Sequence, residues 1–257
     1  LKGLYDAEKV EQQKEYFAAN YKFGQASGLF SVLVMLLMFF LFGFAFFDNI
    51  ARGMSDNTIL IALLFFGMLY IANDLITIPF AYYKTFKIEE RFGFNKMTPK
   101  LFVTDILKEW IMTALLGGVI ISLLMLIYQY TGSFFWIIGW GFMSLLSIFM
   151  MMFYSNLIVP LFNKQTPLEE GELRNQIEDF CQKVGFELDN LFVIDGSKRT
   201  TKANAYFSGL GKKKRIVLYD TLIEKLTPEE IVAVLAHEIG HYKHNHTLMM
   251  LVLSIIN

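Results

Sequence analysis

Four apolar runs, at about residues 25–47, 58–82, 106–130 and 134–159, constrain this chain more than any other feature. Each exceeds the roughly 20 residues that a helix needs to cross a hydrocarbon core. Charge is almost excluded from them. From Phe23 to Tyr82 only Asp48, Arg52, Asp56 and Asp74 are charged, and from Asp105 to Pro160 only Asp105, Lys108 and Glu109. A soluble core does not call for four such runs, and 25–47 is too long for a secretory signal and lacks a small-residue cleavage site after it. Residues 163–246, by contrast, are as polar as an ordinary soluble domain. With 54% hydrophobic and 18% charged residues overall, disorder and a single soluble globule are both excluded. The expectation is a multi-pass α-helical membrane protein carrying one aqueous α+β domain. Its parts would be a four-helix membrane domain over 1–160, the aqueous domain over 161–247, and the start of a further membrane helix at 248–257. Because the chain begins at Leu1 and stops inside an apolar run, it is expected to be a piece of a longer protein.

Loop charge sets the expected orientation. Lys84, Lys87, Arg91, Lys96 and Lys100 lie between the second and third runs, whereas Arg52 is the only basic residue between the first and second. The positive-inside bias puts the 84–100 loop on the cytoplasmic side, and two further crossings return the aqueous domain to that side. A bacterial inner membrane or the endoplasmic reticulum suits this orientation. The net charge of -1 argues against a nucleic-acid partner, and Lys212–Arg215 reads as a solvated turn. The single cysteine, Cys181, cannot close an internal disulfide and reads as a core residue. Asp74 lies deep in the second run, where a water-filled chamber or a hydrogen bond to another helix would equally accommodate it.

In the aqueous part a helix is expected over 167–184 and short strands at 191–194, 204–207 and 216–219. Thr227-Pro228-Glu229-Glu230 then opens a helix: threonine suits the N-cap, proline the first turn, and Glu230 completes a capping box. All four histidines, His237, His241, His244 and His246, fall on or just past this helix. His237-Glu238-Ile239-Gly240-His241 is an HExxH motif. Spacing of i and i+4 puts two imidazoles on one face, one turn apart, where both reach a single tetrahedral Zn2+. Glu238 is rotated by about 100° from His237. It can therefore take a proton from a water that zinc has acidified, while zinc polarises the scissile carbonyl. His244 is expected to line a polar cavity and His246 to make a structural hydrogen bond. Glu224, Glu229 and Glu230 are better explained by capping and solvation than by ligation, so the third protein ligand is expected beyond Asn257.

Several separated motifs together resemble the CAAX prenyl protease 1 family. They are DGSKRTTKANAYFSG (Asp195–Gly209), KRIVLYDTL (Lys214–Leu222), EEIVAVLAHEIGHYKHNHT (Glu229–Thr247), FKIEERFGFNKMT (Phe86–Thr98) and the N-terminal LKGLYDAEKVEQQKEYFAANYKFG. The resemblance implies an integral-membrane zinc endopeptidase whose helices surround a chamber, with a zincin-like domain. It also implies His237 and His241 as metal ligands, Glu238 as general base, and a glutamate third ligand after a further pair of spans. Asn204 and Ala205 match the segment expected to lie along the substrate. Read from the residues alone, Asn204 fits a plain hairpin equally well. Lys202 departs from the histidine that many members have there. The implied substrates are peptides or proteins, among them C-terminally isoprenylated ones, at a lipid bilayer. The alternative is a non-catalytic membrane scaffold or binding protein with a structural metal site.

Overall fold

The computed structural model describes residues 7–186, 190–208, 215–243, 249–250 and 253. It divides into two compact units, Leu1–Phe135 and Trp136–Asn257.

The first unit is built from long apolar helices: α1 (Ala7–Phe40), α2 (Gly43–Met54), α3 (Thr58–Tyr83) and α4 (Pro99–Thr131). Their starts are written in the sequence. The Asn57 side chain accepts from the backbone N–H groups of Ile59 and Leu60 at the head of α3. At α4, Thr98 accepts from Leu101, with Pro99 in the first turn. The run at 25–47 is not one helix. Phe42 takes a left-handed conformation, φ 54°, and parts α1 from α2. A π-helical turn, Lys84–Glu89, prolongs α3.

α1 and α3 run antiparallel. The Tyr16 hydroxyl donates to Glu89 at 2.5 Å, Phe23 stacks on Tyr83 at 5.8 Å, and Phe30 meets Phe80 at 4.9 Å. α3 and α4 are tied by the Trp110 indole N–H, which donates to the Asp74 carboxylate. Asp74 therefore has the helix-to-helix bond that was one of its two sequence readings. Three helical stretches, Ala7–Phe40, Thr58–Glu89 and Pro99–Phe162, are long and apolar enough to cross a membrane. The last is 64 residues long and holds both the 106–130 and 134–159 runs, separated at Gly132, φ 50°, and a 3-10 turn.

The second unit takes in α5 (Phe135–Leu157) beyond its first residue. There follow α6 (Val159–Phe162), β1 (Gln165–Pro167), α7 (Glu172–Lys183), β2 (Asn190–Ile194), β3 (Ala205–Ser208), β4 (Arg215–Tyr219), α8 (Asp220–Ile223) and α9 (Pro228–Lys243). The sheet order is β1-β2-β4-β3; β2 and β4 are parallel with Leu191 opposite Ile216, and the other pairs are antiparallel. Ile216, Val217 and Leu218 are all fully buried, so β4 is covered on both faces. Ile177 and Cys181 of α7 and Ile231, Leu235 and Ile239 of α9 pack on one side of it. Burial pushes the Cys181 thiol up to about 11.

β1 was not anticipated. Its last residue, Pro167, stood at the head of the expected helix 167–184, but Leu168 N–H bonds to Leu191 C=O and extends the ladder, so the helix starts only at Glu172. Arg174 then fastens the helix back, donating to Leu168 C=O at 2.9 Å and to Glu178 at 2.8 Å. The composition change at 160 is also not where the compact units part. α5 belongs with the sheet because Ser155, at its end, hydrogen-bonds the Tyr206 hydroxyl of β3 at 3.3 Å and Asn156 accepts from Arg215 of β4.

Candidate active site

The HExxH helix forms as its sequence requires. Thr227 accepts from Glu230 N–H at 3.4 Å and Glu230 accepts from Thr227 N–H at 2.9 Å, which is the reciprocal capping box. Ile231, Leu235 and Ile239, at i, i+4 and i+8, are 1%, 1% and 2% exposed. They form a single stripe against the core. Backbone positions 237 and 241 lie about 200° around from that stripe, one turn apart on the opposite face. His237 is accordingly exposed and Glu238 half-buried. Helix α9 thus uses one face for packing and leaves the other for chemistry. It packs against α7, α8 and β3.

β3 is an edge strand, and among the described residues no strand pairs with its far side. Tyr219 N–H donates to Asn204 C=O at 3.0 Å, so residues 204 and 219 form a hydrogen-bonded pair. The next residues, Ala205 opposite Leu218 and Phe207 opposite Ile216, are then the alternate pairs, whose N–H and C=O groups point away from β4. Asn204 is exposed and its side-chain oxygen accepts from Ala205 N–H at 2.9 Å. An outward-facing backbone of this kind can hold an extended peptide by strand addition.

The loop leading into β3 is fastened along its length. Ser197 bonds to Asp220 through both N–H (2.9 Å) and hydroxyl (2.5 Å), and Lys198 pairs with Asp195 at 2.8 Å. Arg199 donates to Asn163 and to Phe162 C=O. Thr221 donates to Lys202 C=O at 2.9 Å, and Lys225 to Thr201 C=O. Tyr206, held by Ser155, has its hydroxyl pKa raised chiefly by burial. None of these partners is near its mate in sequence apart from Lys198 and Asp195, so periodicity and spacing gave no signal for them.

Gly196 is a further constraint. A β-carbon there would stand 2.9 Å from Cε1 of the half-buried Tyr219 ring. Gly196→Ala is expected to displace that ring and lower the stability of the second unit by about 1–3 kcal/mol. Thermal unfolding of the purified variant checks this, and an unchanged midpoint would remove the constraint.

Of the sequence-derived site residues, the structure places His237, Glu238 and position 241 on α9 and Asn204 and Ala205 at the head of β3. The side chain of His241, and His244 and His246 entirely, lie outside the described residues. Among the described residues no three metal-binding side chains converge. The donor set on α9 nevertheless suits a divalent metal: two imidazole positions one turn apart on an exposed face, with a carboxylate one position on.

Comparison with known proteins agrees with this arrangement. A family model described as "CAAX prenyl protease N-terminal, five membrane helices" matches residues 1–164, and one described as "Peptidase family M48" matches residues 167–257. The CAAX prenyl protease 1 homolog of Oryza sativa is 47% identical over 195 residues, covering 76% of this chain and 46% of that protein. CAAX prenyl protease 1 of Saccharomyces cerevisiae is 44% identical over 200 residues, covering 77% and 44%. A crystal structure of S. mikatae Ste24p superposes with a TM-score of 0.93 at 39% identity, over 99% of this chain and 61% of that one. The chain spans about half the length of the curated relatives it matches.

Proposed function

Since the chain belongs to peptidase family M48 and carries the membrane-helical N-terminal region of the CAAX prenyl proteases, we propose that it serves a membrane zinc endopeptidase. The observation that carries the reading is the register of α9, which buries Ile231, Leu235 and Ile239 and leaves positions 237 and 241 on the opposite face. In this reading His237 and His241 hold the metal, with a glutamate beyond residue 257 as the third protein ligand. When bound, zinc supplies a Lewis acid that acidifies water and polarises a carbonyl.

The protein's own residues do the rest. Glu238, one position from His237, accepts the proton of the attacking water and then delivers it to the nitrogen of the leaving amine. Asn204 and Ala205 hold the substrate as an added strand, with the outward N–H and C=O groups of β3 fixing its register. In this reading residues 161–247 are the peptidase domain and residues 1–160 the membrane domain that supplies α5 to it; the further helix expected over 248–257 lies mostly outside the described residues. The basic 84–100 loop supports a cytoplasmic position for the site. The relatives' printed names support C-terminally isoprenylated peptides as substrates.

The test uses the full-length protein, a farnesylated CAAX peptide and its unprenylated twin, assayed before and after chelation and zinc restoration. Zinc-dependent cleavage confined to the prenylated peptide is the expected outcome. Cleavage of both alike would retain the protease and overturn the prenyl preference. Bound zinc with cleavage of neither, nor of a wider set of membrane-associated peptides, would favour the scaffold.

A further inference from the structure

We propose that the cleft between α1 and the π-helical turn after α3 binds one anionic phospholipid. Lys22, Lys87 and Arg91 would bracket its phosphate, and an acyl chain would lie along the wall made by Phe23 and Ala26 of α1 and Tyr83 of α3. The cleft lies wholly within the first unit and has a volume of about 590 Å³. That is within the range of roughly 300–1,000 Å³ typical of small-molecule sites. It stands apart from the chemistry of α9 and does not depend on it.

Three observations identify the occupant. The first is charge. Lys22, Lys87 and Arg91 line the cleft against one acid, Glu15, so its rim is net positive by two. Lys22 and Lys87 are exposed and have no ion-pair partner among the described residues. Arg91 meets Glu15 at 3.5 Å, with both side chains more than half exposed, a pairing that contributes little and yields easily to a better anion.

The second is depth. Lys22 is the last charge on α1 before a run that stays uncharged to Asp48, and Lys84 is the first charge on the chain after the apolar body of α3. The antiparallel pairing of Phe23 with Tyr83 brings these two transition points to one level. The cations therefore stand where phosphate headgroups stand, and the neighbouring tyrosine suits the same interface.

The third is the lining. On the membrane side of Lys22 the lining is apolar, with Phe23 and Ala26 of α1 beside Tyr83, while Ile88 and Phe92 are buried at the level of the cations. An inorganic anion would use the rim and leave this wall unused. A phospholipid uses both.

The experiment is native mass spectrometry of the delipidated full-length protein, titrated with phosphatidylserine, phosphatidylcholine or inorganic phosphate. One phosphatidylserine should be retained in preference to phosphatidylcholine. The Lys22→Gln/Lys87→Gln double variant should weaken that binding about tenfold or more. Ala26→Trp keeps every cation but fills the wall, and should also lose the lipid; Ala26→Leu substitutes for it if the larger residue disturbs folding. Equal retention of both lipids, or unchanged binding in the double variant, would overturn the proposal. Retention with the wall filled would reduce the cleft to a diffuse basic surface, and displacement by millimolar phosphate would make it an anion site without an acyl chain. Either result also overturns it.

Discussion

Glu238→Gln is expected to leave zinc content and thermal stability unchanged while reducing peptide cleavage by about 100- to 10,000-fold, the usual contribution of a positioned general base. Glutamine keeps the size and the hydrogen-bonding reach of the side chain but cannot take up a proton. The residue is half-buried in the C-terminal half of α9 and lies outside the buried stripe, so its replacement removes nothing from the core. The comparison needs metal analysis and kcat/KM measured on the same preparations of full-length protein. Loss of zinc in step with activity would show that Glu238 supports the metal site rather than the proton transfer. Retained cleavage would exclude it as the base.

Leu235→Ala carries the largest expected effect on stability. Leu235 is 1% exposed and sits between Ile231 and Ile239 in the stripe that seats α9 on the core. Truncating a buried leucine removes its transfer free energy and leaves a cavity, together about 2–5 kcal/mol. That is a large fraction of the 5–15 kcal/mol that holds an ordinary domain folded. Because His237 is two residues further along the same helix, zinc affinity should fall together with the unfolding midpoint. Glu224→Gln, at an exposed position, serves as the control and should shift stability by less than about 0.5 kcal/mol. A Leu235→Ala protein with an unaltered midpoint would mean that the stripe does not seat the helix.

What could be read directly from the sequence was whatever depends on neighbours along the chain. The capping box at Thr227 and Glu230, the start of α4 at Thr98-Pro99 and the helical placement of HExxH each rest on residues within four positions of one another. Strand positions were also readable to within a residue, since Ile216–Tyr219 is a β-branched and aromatic run. The break at Phe42 was not, because a large aromatic residue carries no signal for a left-handed backbone. β1 was missed for a different reason: Gln165 to Pro167 has no strand pattern of its own and is a strand only through its pairing with β2. The bonds that set β3 and the loop before it in place, from Ser155 to Tyr206 and from Ser197 to Asp220, join residues 51 and 23 positions apart. No local pattern encodes such contacts.

The attachment of α5 to the sheet bears on how this protein can be taken apart. Excising a water-soluble catalytic fragment at the composition change near residue 160 would sever the chain just after Ser155 and Asn156. Such a fragment would keep all of α9 but strip the Tyr206 hydroxyl of its partner and leave the Arg215 guanidinium without Asn156. The strand that presents outward backbone groups is thus anchored by the tail of an apolar helix. Severing one from the other would leave β3 held only by β4 and α9, without the support that α5 gives it at Tyr206.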